Sequence, residues 1–269
     1  MSQRLDVISL QRAFETVCSS LNDSFSFQRE DMSRELFLDQ NRFYLSFLEQ
    51  KLKATGIPQS ELTVYDVGCG DGRLFLGLAG LGYDCVGVDR SLWTVIKLHG
   101  TIESKGLQST AQATRQDLSE ERLVPIEKSA VLSLHCCGSL ADYVIRDCRK
   151  GNQPEVVSIV PCCYNLTNPI EMLKNLKPLF REYTPQLLYD AINFAWLVSC
   201  IHLNALPTKE IKSTTHAERV ILAGNLGRAA EFMDNVRALA LTKMGYDVTI
   251  AKVWDAQSHC LIYGRRRIV

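Results

Sequence analysis

Charge of one sign is what this 269-residue chain most lacks: 30 Lys and Arg stand against 30 Asp and Glu, for no formal net charge. That excludes a global basic field drawing in nucleic acid or an acidic membrane, so any polyanion has to be held by a local patch. Long apolar runs are missing too, since no stretch of about 18 apolar residues occurs. The first residues, MSQRLDVISLQRAFETVC, carry Arg4, Asp6, Arg12 and Glu15 where a secretory leader needs an unbroken apolar core. The same acidic residues argue against a mitochondrial import helix. Ten cysteines are too few for a disulfide scaffold, and Cys136-Cys137 and Cys162-Cys163 are adjacent pairs inside apolar stretches. Reduced thiols and a soluble, cytoplasmic protein are expected, with the nucleus as the alternative. With 46% hydrophobic and 22% charged residues, 16 Gly and 8 Pro, the chain is neither disordered nor collagen-like. It is long enough to bury about 70–75% of its unfolded surface, as one large α/β domain or two small ones.

Residues 1–58 hold no convincing strand and read as a helical N-terminal extension. In RELFLDQNRFYLSFLEQKLK, residues 34–53, Leu36, Phe37, Tyr44, Leu45, Leu48 and Leu52 share one helical face, and Gly56-Ile57-Pro58 stops the helix. A main domain is expected over residues 59–269, and from residue 62 short β-branched runs alternate with helix-length segments. Strands are predicted at 62–67, 85–89, 111–115, 130–134 and 156–160, and helices at 74–81 and 92–105. The continuous apolar character of 130–134 and 156–160 suits parallel strands covered on both faces, hence a doubly wound sheet. Residues 165–218 are irregular, with helix-like patches at 169–176 and 187–200, and read as an insertion. An amphipathic helix over 228–244 then precedes two runs, 247–254 and 260–265, that form a closing antiparallel hairpin. No internal repeat is present.

The most informative segment is Asp66-Val67-Gly68-Cys69-Gly70-Asp71-Gly72, which leaves a strand and opens a helix, where backbone can approach a ligand closely. Arg73 stands where a dinucleotide fingerprint has its third glycine, and no Lys-Ser/Thr follows for a phosphate loop, so pyrophosphate is disfavoured. Asp89 ends the next strand 21 residues beyond Gly68, the distance that lets a carboxylate take hydrogen bonds from both hydroxyls of a ribose. This loop and acid resemble motifs I and II of class I S-adenosylmethionine methyltransferases, a Rossmann-like family with a seven-stranded, mostly parallel sheet and an antiparallel last strand. The resemblance implies that Asp66 and the glycines hold the methionine portion of S-adenosylmethionine, Asp89 the ribose, and Asp117, after Gln116, the adenine amine. Cys69, Arg90, Gln116, Leu134 and His135 join the expected cofactor contacts.

Two further segments, His135-x-Cys137-Gly138-x-Leu140-x-x-Asp142 and Cys162-Cys163-Tyr164, resemble a smaller group within that class. It includes methyltransferase-like relatives of rRNA adenine dimethylases, the C-terminal domain of glutathione S-transferase C-terminal-domain-containing proteins and, more distantly, tRNA 2′-O-methyltransferases. The resemblance spans about residues 62–265. Both segments follow neighbouring strands and should meet beside the methyl donor. No Asp/Asn-Pro-Pro-aromatic clamp is present, which argues against exocyclic base amines as acceptors. For the thiols, packing beneath the cofactor is the favoured reading. A Pro-Cys nucleophile is disfavoured because the dipeptide follows the fifth strand rather than the fourth. A zinc site drawn from His135, Cys136, Cys137, Cys162 and Cys163 is set aside because successive side chains on a strand point to opposite faces, and no metal is expected. His135 and Tyr164, with Asn165 behind them, are the expected contacts with the acceptor: His can take a proton as the methyl moves, and Tyr can position the accepting atom.

Arg265-Arg266-Arg267, with Lys209, Lys212 and Arg219, could form a phosphate patch, though a solvated edge is the favoured reading. Trp93, Trp196 and Trp254 are expected in the core. The sequence thus points to an S-adenosylmethionine-dependent methyltransferase acting on a macromolecule, RNA favoured over a protein side chain, with a catalytically silent cofactor-binding sensor as the alternative. No membrane partner is expected, and the oligomeric state stays open.

Overall fold

A computed structural model describes residues 6–24, 28–31, 40–150, 152–202, 215–252 and 260–267. In chain order the elements are α1 (Val7–Ser24), β1 (Gln28–Asp31), α2 (Gln40–Lys53), β2 (Thr63–Val67), α3 (Arg73–Gly80), β3 (Asp84–Asp89), α4 (Leu92–Ser104), β4 (Ala111–Arg115), β5 (Ser129–Cys137), α5 (Leu140–Cys148), β6 (Val156–Cys162), α6 (Pro169–Leu176), α7 (Pro185–His202), α8 (His216–Ala223), α9 (Leu226–Lys243), β7 (Tyr246–Lys252) and β8 (Cys260–Arg266). The sheet order is β1-β7-β8-β6-β5-β2-β3-β4. β2 through β6 pair in parallel, and β8 runs antiparallel to both β6 and β7. The seven-stranded doubly wound order with its closing hairpin is as the sequence predicts. An eighth strand corrects the reading of residues 1–58: β1 pairs in parallel with β7 at the sheet edge. Four polar residues, Gln-Arg-Glu-Asp, carry no alternation to reveal it.

Every residue of β6 is buried, which is why the sequence shows no alternation there. One face of the sheet is covered by α2, α3 and α4, where Tyr44, Leu48 and Leu52 pack with Leu62, Val64 and Phe75. Leu36 and Phe37 lie outside the described residues, as does Trp254. The other face carries α1, α5, α6, α7 and α9. Residues Val7, Leu10, Phe14, Val17 and Leu21 fall on one side of α1, and the Phe14 ring sits 5.0 Å from those of Phe194 in α7 and Phe232 in α9. The N-terminal helix and the helices of the 165–218 segment are therefore parts of one layer. Trp196 is half-buried there, as expected, but Trp93 is 74% exposed on α4, next to exposed Leu92 and Ile96. Its position in an apolar pattern did not put it in the core, because α4 buries only Val95, Leu98 and Ile102.

The ends of β5 and β6 are fixed by a cation wholly shielded from water. Arg237 of α9 is 0% exposed; its Nε and Nη2 donate to the two oxygens of Asp142 on α5 at 2.8 and 3.1 Å, and Nη2 also reaches the Gly138 carbonyl at 3.4 Å. Its Nη1 lies 3.9 Å from Asp234, which accepts the Tyr164 hydroxyl at 3.0 and 2.8 Å. Both motif segments thus converge on one side chain from a distant helix. Removing a buried partner leaves uncompensated charge, so Arg237→Ala should lower unfolding stability by about 3–5 kcal/mol. Tyr164→Phe, which forfeits a hydrogen bond to a charged group, should cost about 1.5–3 kcal/mol. Urea midpoints check both.

Candidate functional site

β2 ends at Val67, and the chain turns through 68–72 before α3. Gly68 takes φ +73°, open to glycine at little cost. The Gly68 and Cys69 amides both donate to the Val88 carbonyl at 2.7 and 3.1 Å, Gly72 donates to Cys69 O at 2.8 Å, and Gly70 to Asp89 Oδ2 at 3.2 Å. Four of the five amides between 68 and 72 are therefore already bonded inside the protein and are not free to cradle a diphosphate. Asp89 Oδ1 accepts from the Ser91 amide at 2.8 Å. One carboxylate thus ties the loop to the start of α4, with lone pairs left over for a ligand.

The turn opens on a cleft of about 450 Å³. Gly68, Asp89, Arg90, Gln116, Asp117 and His135 line it, six of the residues singled out from the sequence. Asp117 takes the Ser119 hydroxyl and amide at 2.7 and 2.9 Å, which hold its carboxyl below the usual range. The Gln116 amide donates to the Arg122 carbonyl at 2.8 Å, so its side chain shapes the wall. Asp66, Cys69, Gly70, Gly72, Leu134, Tyr164 and Asn165 are not on the wall. Asp66 is buried beneath the turn; burial pushes its carboxyl up to about 7, offset in part by the Phe75 amide. The Cys69 thiol is buried in the core below, and burial raises it. Gly72 is bare for packing, since a Cβ there would meet Leu98 Cδ2 at 2.5 Å. Leu134 is a half-buried part of the same core.

His135 reaches the cleft through a bulge. Pairing of β5 with β6 shifts between Leu134 and Cys136, and His135 takes φ +56°. The bulge leaves His135 exposed and turns Cys136 into the core. Tyr164 corrects the expectation of an acceptor contact: it is buried, and its hydroxyl is spent on Asp234. Asn165 offers its carbonyl to the Trp196 indole at 3.0 Å. Cys137 lines the cleft, with its Sγ 3.0 Å from that of Cys162 and 3.5 Å from that of Cys163. Hydrogen bonding from Cys162, opposed by burial and aided by Cys163 and by the Arg90 charge, lowers the Cys137 thiol to about 6.

Ser139, Tyr143 and Asn168 also line the cleft and went unnoticed in the sequence. Asn168 before Pro169 is a helix-start signal: its side chain accepts the Ile170 and Glu171 amides, and its own amide donates to the Ser139 hydroxyl at 2.8 Å. Of the basic run, Arg266 pairs with Glu155, and Arg267 with Asp247 at 2.7 Å. Lys209 and Lys212 lie outside the described residues, as does the Arg219 side chain.

A doubly wound sheet of this order, with a glycine turn after the first parallel strand and an acid ending the second, defines the class I methyltransferase fold. Residues 38–169, just under half of the chain, match the family described as "Methyltransferase domain". No curated protein matches the chain significantly. Among solved structures, a magnesium protoporphyrin IX methyltransferase from Synechocystis with bound S-adenosylhomocysteine is 14% identical over 98% of this chain and 100% of that one, with a TM-score of 0.43. An RNA methyltransferase from Salinibacter ruber in complex with S-adenosylhomocysteine is 18% identical over 44% of this chain and 76% of its own, with a TM-score of 0.35. An S-adenosylmethionine-dependent methyltransferase from Clostridium acetobutylicum is 15% identical over 47% of this chain, with a TM-score of 0.37, and the match spans about half of its length (52%). At these scores the fold assignment stands on the sheet order itself. Among the described residues, no helix is long and apolar enough to cross a membrane.

The buried Asp66 gives a pH test. Its folded value lies above the unfolded one, so the native state holds the extra proton and stability falls as pH rises from about 4 to about 7. Asp66→Asn removes that dependence: the variant should gain stability relative to the parent between about pH 5 and about pH 8, by an amount of order a few kcal/mol at most. Paired thermal melts across that range measure it.

Proposed function

We propose that this chain binds S-adenosylmethionine in the cleft above residues 68–72 and transfers its methyl group to a macromolecular acceptor, RNA in preference to a protein side chain. The observation that carries the cofactor is Asp89: a cleft-lining carboxylate suited to a ribose diol, beside a turn whose amides are committed elsewhere and which therefore suits a nucleoside without a diphosphate. Asp117, whose carboxylate is held ionised, suits the exocyclic amine of adenine, and Gly68 leaves room for the methionine portion. Asp66 acts from below, holding the first turn of α3 against the loop. When bound, the cofactor supplies an electrophilic methyl on a sulfonium.

His135 is the imidazole on the cleft wall, and its role is to hold the acceptor atom and take its proton as the new bond forms. RNA is favoured by resemblance of the paired motifs to RNA-modifying relatives; missing an Asp/Asn-Pro-Pro-aromatic clamp, the chain fits a hydroxyl better than a base amine. The C-terminal arginines add less than their sequence suggests, since two of the three are paired with carboxylates. A second reading, a cofactor-binding sensor without turnover, is favoured by Tyr164, whose commitment to Asp234 removes it from the acceptor contacts expected from the sequence.

Titration calorimetry with S-adenosylhomocysteine should detect binding, and Asp89→Ala should weaken it by about 1–3 kcal/mol through lost charge-assisted hydrogen bonds. With methyl-labelled donor, label should enter RNA before protein; His135→Ala should abolish that transfer while changing the cofactor dissociation constant little. Binding without label in any fraction supports the sensor, and absence of binding sinks both readings.

A further inference from the structure

Two of the three non-glycine residues with positive φ among those described, His135 and Cys163, flank one cluster of sulfurs. Backbone held in a sparsely populated region is a pointer to function when something specific gathers there. On a regular strand pair the thiols of Cys162 and Cys163 would point to opposite faces, as the sequence led one to expect. Here β6 ends at Cys162, and Cys163 adopts φ 50° and ψ 51°, which swings its side chain back beside that of its neighbour. Across the sheet Cys137 pairs in register with Cys162, while Cys136 points into the core. The three Sγ atoms of Cys137, Cys162 and Cys163 all lie within 4.8 Å of one another.

We propose that Cys137, Cys162 and Cys163 hold a single zinc ion whose fourth coordination position opens on the cleft. Bonds of about 2.3 Å in tetrahedral geometry place sulfurs about 3.8 Å apart. The observed separations of 3.0 and 3.5 Å are shorter than that and the third is under 4.8 Å, so the three thiols are already gathered and need only spread by less than 1 Å to take the ion between them. Thiolates select thiophilic ions such as zinc over magnesium or calcium. Among the described residues no imidazole or carboxylate completes the set, and three protein ligands with one open position are the pattern of zinc sites that act on a bound ligand rather than merely cross-link the chain. Cys137 lines the cleft and so turns that open position toward it, beside Arg90, whose charge offsets the surplus negative charge of three thiolates. Binding sends the thiol protons to solvent and changes no oxidation state. The site rests on the three sulfurs and is independent of the methyl-transfer reading.

The test uses the full chain, kept reduced with a phosphine, stripped with a chelator and titrated with zinc or cobalt(II). The expected result is one tightly held ion per chain, a sulfur-to-cobalt charge-transfer band with the strong visible bands of tetrahedral cobalt, and protection of Cys137 and Cys163 from alkylation. Cys137→Ser and Cys163→Ser alter exposed side chains and should each weaken binding at least tenfold, while Cys18→Ser, remote from the cluster, should not. Binding that is unchanged by both cluster variants, a weak octahedral cobalt spectrum, or no zinc retained by the reduced chain would overturn the proposal.

Discussion

A guanidinium with no access to water organises the half of this molecule that carries His135 and Cys137 to the cleft. Arg237 binds Asp142 through two hydrogen bonds, touches the Gly138 carbonyl and lies near Asp234, which in turn holds Tyr164. Burying a cation is costly, and the cost is offset only while every partner stays in place. The turn after β5, the start of α5, the turn after β6 and the middle of α9 therefore hold a single relative arrangement. Gly138 shows how tight that arrangement is: it takes φ +60°, and a Cβ there would fall 2.6 Å from the Leu166 carbonyl oxygen. His135 and Cys137, immediately before this knot, inherit their positions from it.

The opposite half works by economy of hydrogen bonds. The glycine turn satisfies its own amides against Val88 and Cys69, and Asp89 joins it to α4 through Gly70 and Ser91. A turn closed on itself offers shape and a carboxylate rather than an array of donors. This suits a positively charged nucleoside derivative better than a phosphate ester, because an anion would need N–H groups that are spent. The two halves meet where Leu140 approaches Gly68, so the apolar residue of the second motif backs the glycine of the first.

Much of this was legible in the sequence because it depends on local pattern. The strands at β2, β3, β4 and β6, the helices α3, α4 and α9, and the glycine turn all announce themselves through periodicity and spacing. Six of the expected site residues do line the cleft, since a residue at the C-terminal end of a parallel strand has few other places to go. Polar β1 and exposed Trp93 escaped because edge pairing and the angle of a helix on its sheet leave no trace in residue type. Tyr164 misled for a related reason: it sits at a strand end as a catalytic residue would, but Asp234, seventy positions away, claims its hydroxyl.

By itself the sequence determined the layered α/β architecture, the order of strand and helix, and the chemical character of the turn at 68–72, because hydrophobic periodicity and glycine placement act over a few residues. Only the tertiary structure decided which polar side chains face the cleft and which are consumed in the core. Arg237 and Asp142 lie 95 positions apart, and their pairing exists only once α9 has packed on α5. The sequence placed the two thiol segments side by side but argued against their converging, because it takes a bulge at His135 and a left-handed residue at Cys163 to bring side chains together that a regular strand pair would hold apart.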